Sequence, residues 1–252
     1  MSNVLLSIAD GVGTISLNRP NRHNAVTDAM SSELAEVWDA VVADSAVRVI
    51  VMRGEGPSFC SGRDLAELGN RALGESDLSV IRRHQRLRVE QLATPKPFIA
   101  ALRGHVLGGG LETALAADIR IAATDTRLAF PEIRYGLMTD TGGAPLTTML
   151  AGPSRAKWML MTGRPVDALT ALQWGLVDEV VEPADLDSTA ASLALELAGR
   201  PTEALALVKQ AIDGIWHGAL QAGLRSELVS QAALFGGEDY KARKAARAGD
   251  AR

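Results

Sequence analysis

Gly104-His-Val-Leu-Gly-Gly-Gly-Leu-Glu112 directly follows the apolar run Phe98–Leu102 and leads into a helical pattern. Three consecutive glycines are costly to order, so a helix entrance built from them points to a place where a backbone or a ligand must approach within contact distance. The helix N-terminus at that point exposes unpaired N–H groups and the positive end of its dipole, which suits an anionic oxygen. Close packing of helix on strand, or a plain turn, accounts for the glycines equally well when they are taken alone.

Around this segment the pattern alternates. Strand candidates at Phe98–Leu102, 119–122 and 128–130 enclose a helix over 109–117, an α/β layout. Upstream, apolar segments at 4–8 and Val12–Leu17 flank Asp10-Gly11, a dipeptide suited to a tight hairpin. Thr27 can cap a helix whose apolar residues Met30, Leu34, Val37, Trp38 and Val41 recur at helical spacing, and the β-branched run 47–52 reads as a buried strand. Residues 68–77 carry Gly69 and Gly74 without a period and read as a mobile loop. A helix over 78–92 has a thin apolar stripe and presents Arg82, Arg83, Arg86 and Arg88, the pattern of a solvated basic face. Beyond Gly152 helices are expected at 154–161, 166–174, Leu186–Ala198 and 202–234, the last interrupted near 214–218, with only 176–181 extended. The tail 241–252 has the weak pattern of a frayed terminus.

Bulk properties narrow the function. A chain of 252 residues with 47% hydrophobic and 22% charged content can bury a substantial core. Its net charge of −4 lacks the footprint of a protein whose main ligand is nucleic acid. Cys60 is alone, and His23, His84, His105 and His217 show no zinc spacing, so no metal site is expected. No basic-then-apolar leader opens the chain and no run of about 18 apolar residues occurs, which gives the expectation of a cytoplasmic protein without membrane contact. The phosphate loop, H-E-x-x-H, G-x-S-x-G and G-x-G-x-x-G signatures are all missing.

Phe59-Cys-Ser-Gly-Arg-Asp-Leu65, Gly104 to Glu112, and Pro131-Glu132-Ile-Arg-Tyr-Gly136-Leu137 occur in that order. Together they resemble the crotonase (enoyl-CoA hydratase/isomerase) superfamily, whose pattern runs F-C-x-G-x-D-L, G-x-x-x-G-G-G-x-E and P-E-x-x-x-G-L. Leu17-Asn-Arg-Pro20, Asn24-Ala25, Thr162-Gly163 and Gly175-Leu-Val177 extend the likeness over nearly the whole chain. The resemblance implies an α/β, crotonase-like (ClpP/crotonase) spiral of β-β-α units over residues 1–195. It also implies a helical trimerisation region over 196–252, and assembly as a homotrimer or a dimer of trimers.

It implies site residues as well. The oxyanion hole would be the backbone N–H groups of Arg63 and Gly109, aimed at a thioester carbonyl, each donor typically worth about 3 kcal/mol. Glu112 and Glu132 match the two family glutamates that flank the C2–C3 bond in hydratases, Glu132 giving the proton to C2 and Glu112 activating water. Without the family pattern, Glu112 reads as first-turn helix stabilisation and Glu132 as a surface charge. Asp140 stands where common hydratases carry glycine; some isomerases of the superfamily place a catalytic aspartate there, and a helix N-cap from Asp140 or Thr141 fits the position equally well. Coenzyme A, as part of the substrate and with no separate cofactor, would run along Arg22, His23, Asn24, Ala25, Gly62, Asp64, Leu65 and Gly108. Lys241 or Lys244 of a neighbouring subunit would stand near its phosphates. The ending Ala251-Arg252 departs from the family's A-F-x-E-K-R-x-P-x-F. The leading expectation is therefore an enoyl-CoA hydratase, a lyase. The alternatives are an enoyl- or dienoyl-CoA isomerase using Glu132 and Asp140, or, from another class, a non-catalytic acyl-CoA-binding protein.

Overall fold

A computed structural model describes residues 2–70 and 73–250. Strands β1 (Val4–Ala9) and β2 (Val12–Leu17) form the expected hairpin, with Asp10 at φ 51° and Gly11 at φ 80°. Thr27 caps α1 (Asp28–Ala43), its hydroxyl accepting the Met30 amide at 3.2 Å. The chain continues through β3 (Val49–Gly54), α2 (Asp77–Ala93), β4 (Phe98–Leu102), β5 (His105–Leu107) and α3 (Gly109–Leu115). After β6 (Ile119–Ala123) and β7 (Arg127–Ala129), a 3-10 turn Pro131–Tyr135 precedes α4 (Gly143–Ala151) and α5 (Pro153–Thr162). Then come β8 (Val166–Asp167), α6 (Ala168–Trp174), β9 (Glu179–Val181), α7 (Leu186–Ala198), α8 (Thr202–Phe235) and α9 (Glu238–Asp250).

A six-stranded sheet runs β1-β2-β3-β4-β6-β9, parallel from β2 onward, beside a smaller sheet β5-β7-β8. Each of β4-β5 and β6-β7 gives its first strand to the large sheet and its second to the small one, which generates the spiral. Strands buried on both faces alternate between two cores. Val49, Val51, Ile99, Ala101, Ile121 and Ala123 pack against Leu186, Ala190, Ala194 and Ala198, so small residues one turn apart on α7 let it lie close to the sheet. Ile50, Met52, Phe98, Ala100 and Leu102 face the opposite core with Trp38 and Leu111, each large aliphatic side chain contributing about 1.5–3 kcal/mol by burial.

Several expectations are corrected. α8 is unbroken through Gly214 and Gly218, since both are exposed and a lone glycine only lowers helix propensity by about 1 kcal/mol. The tail is not frayed through residue 250: α9 docks through Tyr240, whose hydroxyl donates to the Leu68 carbonyl at 2.9 Å. Residues 166–167 pair with β7 instead of opening a helix, and only Glu179–Val181 of 176–181 is a strand. Strand β5 was not anticipated, since three strand residues after a turn are too few to show a period, and α4 begins at Gly143 instead of directly after a cap at Asp140 or Thr141. Within 68–77, Leu68 is buried and Arg71 and Ala72 lie outside the described residues.

Candidate active site

Two loops leaving neighbouring strands β3 and β4 are stitched together. The Cys60 amide donates to His105 O at 3.0 Å and the Leu107 amide to Cys60 O at 2.9 Å. Beyond this stitch stand Arg63 and Gly109, whose amides have no hydrogen-bond acceptor among the described residues. Gly62 has φ 90°, and a Cβ there would lie 2.8 Å from Leu107 O and 3.4 Å from Gly109 N, so the loops touch only because position 62 is glycine. Gly108 has φ 51° and ψ −125°, and a Cβ there would stand 2.4 Å from Glu132 Oε1. That glycine lets a carboxylate lie on the backbone next to the Gly109 amide.

Both amides open into a cavity of about 610 Å³ that Glu112, Glu132 and Asp140 also line, so the three expected acids share one pocket. Glu112 is buried, and three donors hold it: Thr141 N at 2.8 Å and Gly143 N at 2.9 Å on Oε1, and the Thr141 hydroxyl at 2.7 Å on Oε2. Glu132 has the opposite environment. Its Oε2 has no hydrogen-bond partner among the described residues, and burial, then the nearby Glu112 charge, raises its pKa well above the usual carboxylate range.

Asp140 Oδ2 lies 3.1 Å from Arg63 Nη2, but off line for a hydrogen bond, so the contact is ionic and both atoms keep directional capacity. Burial lifts the Asp140 pKa from 3.8 to about 6, against the pull of Arg63. Asp140 and Thr141 cap no helix: the residue before α4 is Gly142, at φ 113°. The Arg63 side chain thus reaches into the pocket that its amide serves.

Most residues expected along coenzyme A line the same cavity: Arg22, His23, Ala25, Gly62, Asp64, Leu65 and Gly108. Asn24 does not. It is fully buried and donates its amide to Ser58 O at 2.7 Å and Glu55 O at 3.0 Å, pinning the loop from inside. Asp64 is paired with Arg19 at 3.1 Å. Lys241 contacts Glu238 of its own helix and Lys244 contacts Asn70, and neither lines the cavity.

The sequence reading missed four polar residues. Arg88, expected on a solvated face, is 5% exposed and donates to Thr141 O at 3.1 Å and Thr113 Oγ1 at 2.7 Å. Burial pushes its pKa down to about 10, while Glu112 pulls it up. His84 lines the cavity as a neutral imidazole, because burial and then Arg63 and Arg83 lower its pKa to about 3. Gln231 accepts the Met138 amide at 3.1 Å, and Glu227 is 1% exposed beneath the 139–144 segment. These two stand four residues apart on the buried stripe of α8, among Leu220, Leu224, Leu228 and Phe235, and the many other polar residues of that helix hide them in the sequence.

The cavity therefore sets two backbone N–H groups beside a carboxyl, Glu132, whose pKa is raised by burial. The family model described as enoyl-CoA hydratase/isomerase matches residues 7–248. The chain is 35% identical to the 1,2-epoxyphenylacetyl-CoA isomerase of Escherichia coli K12 over 96% of its length and 93% of that protein's. It is 33% identical to the short-chain-enoyl-CoA hydratase of Clostridium acetobutylicum, with 96% and 92% of the two chains covered. The crystal structure of an enoyl-CoA hydratase/isomerase from Xanthobacter autotrophicus Py2 superposes with a TM-score of 0.90 at 31% identity, covering 98% of this chain and 93% of that one. Among the described residues no helix is long and apolar enough to cross a membrane.

Proposed function

The chain belongs to the enoyl-CoA hydratase/isomerase family, and from that premise we propose that it is an isomerase that moves the double bond of an enoyl-CoA thioester, with Glu132 and Asp140 carrying the proton. In the forward direction a 3-enoyl thioester binds with its carbonyl oxygen against the Arg63 and Gly109 amides. A carboxylate takes the C2 proton, the electron pair moves onto the thioester oxygen as a dienolate, and a carboxylic acid returns a proton at C4. The product is the conjugated 2-enoyl thioester, and no atom is gained or lost. Fixed donors stabilise the dienolate oxygen without solvent reorganisation.

One observation carries this reading over hydration. Among the described residues Glu132 Oε2 and Asp140 Oδ2 accept no hydrogen bond, Asp140 Oδ2 meeting only the Arg63 guanidinium in an ionic contact at 3.1 Å, whereas Glu112 is committed to three donors from residues 141–143. Relatives named as an isomerase and as hydratases match at similar identity, so the choice rests on the carboxyl groups alone. The carboxylates gathered against Arg63 and Arg88 also disfavour an acyl chain bearing its own negative charge.

Hydration is the second reading, supported by the raised pKa of Glu132 beside Glu112: a protonated Glu132 can donate to C2 while Glu112 Oε2, which carries a single hydrogen bond, orients water. The two readings separate in oxygen-18 water, where only hydration places label in a new hydroxyl group. For isomerisation, absorbance of the conjugated thioester grows from a 3-enoyl substrate, and Asp140→Asn and Glu132→Gln each lower kcat by about 10²-fold or more. An Asp140→Asn enzyme with wild-type turnover would overturn the assignment. Self-association as trimers or dimers of trimers belongs to the same proposal, supported by the exposed Leu207, Val208, Ile212, Ile215 and Trp216 along α8; sedimentation showing a monomer would remove it.

A further inference from the structure

Residues 139–144 are gripped from two sides by carboxylates that come from distant parts of the chain. The amides of Thr141 and Gly143 donate to Glu112 at 2.8 and 2.9 Å. The intervening amides point the other way: Gly142 N donates to Glu227 Oε2 at 2.7 Å and Ala144 N to Glu227 Oε1 at 2.8 Å, joined by the Thr139 hydroxyl at 2.6 Å. The same helix supplies two more fixings. Gln231, four residues on, accepts the Met138 amide at 3.1 Å, and the Leu224 carbonyl accepts Gln85 Nε2 at 2.8 Å while that amide also donates to Asp140 O at 2.7 Å. Asp140 thus sits inside a strip whose backbone groups are almost all spoken for.

Glu227 itself does not line the catalytic cavity, and only its far side reaches a groove beside Pro145 and Trp216. Its carboxyl is buried against backbone amides: burial, then the Glu112 charge, lifts its pKa to about 8, while the Thr139 hydroxyl and the Ala144 and Gly142 amides pull it down by donating to it. Neither oxygen is idle: Oε1 takes two donors and Oε2 takes one. A glutamine would present an amide N–H to the Gly142 N–H, two donors face to face.

We propose that Glu227 of α8 is a positioning residue for the reaction: by binding alternate amides of the strip that Glu112 binds from the cavity side, it fixes where the Asp140 carboxyl points. This rests on the reading of Asp140 as a proton carrier. A loop that wandered by about 1 Å would cost on the order of 10²-fold in rate without any loss of acyl-CoA contacts. The signature is therefore a selective fall in kcat.

The test compares wild type, Glu227→Gln and Thr139→Val, the last removing one donor while leaving the carboxylate. Glu227→Gln is expected to lower kcat for 3-enoyl-CoA isomerisation about tenfold or more, with KM within about threefold of wild type. Thr139→Val is expected to lower kcat by about threefold, and it carries the test if the first variant does not fold. Hydrogen exchange followed by mass spectrometry should show faster exchange in the peptide covering 139–144, with peptides of β3, β4 and β6 unchanged. Unaltered kcat, or faster exchange spread over the whole molecule, overturns the proposal in favour of a role in general stability. If the wild-type chain turns over no enoyl thioester, the isomerase reading fails by itself. The exchange comparison then still decides the present inference, because unchanged protection at 139–144 in Glu227→Gln would refute it.

Discussion

Replacing Gly108 by alanine tests the geometry of the pocket with a single methyl group. The new Cβ would stand 2.4 Å from Glu132 Oε1. An ordinary van der Waals contact requires roughly 3.5 Å, so the carboxylate must retreat by about 1 Å, and a displacement of that size at a reacting group costs about 10²-fold in rate. The backbone adds its own penalty, because φ 51° with ψ −125° is a region that L residues rarely enter. Strain of about 1–3 kcal/mol in a chain of this length lowers Tm by roughly 2–12 °C. Gly152→Ala separates the two effects. Gly152 sits at φ 83° and ψ 162°, equally foreign to alanine, but nothing lies within 4 Å of its would-be Cβ, and it is remote from the cavity. Both variants should melt earlier, measured by scanning calorimetry. Only Gly108→Ala should lose isomerisation, followed by absorbance of the conjugated thioester at saturating substrate. A Gly108→Ala enzyme that matches Gly152→Ala in kcat would show that the Glu132 carboxyl takes no part in the proton transfer.

The remaining predictions concern charge and reactivity. Asp140 is raised from 3.8 to about 6, so its basic form gains population as pH rises through that value, and kcat/KM should climb there; a flat profile between about pH 5 and 7 would remove Asp140 as the base. The same shift means the native chain holds this proton more tightly than the unfolded chain, so the stability it contributes is full below the unfolded pKa and is lost as pH rises through 6, measurable as a falling urea midpoint that Asp140→Asn abolishes. Arg88→Met removes the buried cation beside Glu112, Glu227 and Asp140 and should cost about 3–5 kcal/mol in urea unfolding; a loss under about 1 kcal/mol would show that those carboxyls are not charged together. Cys60 is buried and its thiol is pushed up to about 11 by desolvation, so a disulfide reagent should leave it unmodified in the native enzyme and label it fully in urea; rapid native labelling would contradict its burial.

The parts of this molecule that a sequence displays are those fixed by local backbone demands. Gly62, Gly108 and Gly110 announce themselves because no other residue tolerates their contacts or dihedral angles, and Thr27 and Asp10-Gly11 specify a cap and a turn over a few residues. Glu112, Glu132 and Asp140 were legible only through the family pattern, since a lone carboxylate carries no mark of burial. Arg88 was misread because a helix bearing four arginines looks solvated, and only the tertiary fold turns one of them inward against Thr141 and Thr113. Glu227 was silent for a deeper reason: its partners are main-chain amides, which look the same in every sequence. The unbroken α8 and the docked α9 also follow from packing at a distance, with Tyr240 seated on the Leu68 carbonyl.

The stitch between Cys60 and residues 105–107 joins two crossovers that leave the same edge of a parallel sheet. Because parallel neighbours share one direction, the polypeptide between them is a detour that begins and ends at fixed posts. Within that detour the Leu68 carbonyl is held by Tyr240, and Gln85 and Arg88 are tied to the carbonyls of Asp140 and Thr141, so only the exposed positions of Asp77–Ala93 can change without disturbing the Arg63 and Gly109 amides or the strip that carries Asp140.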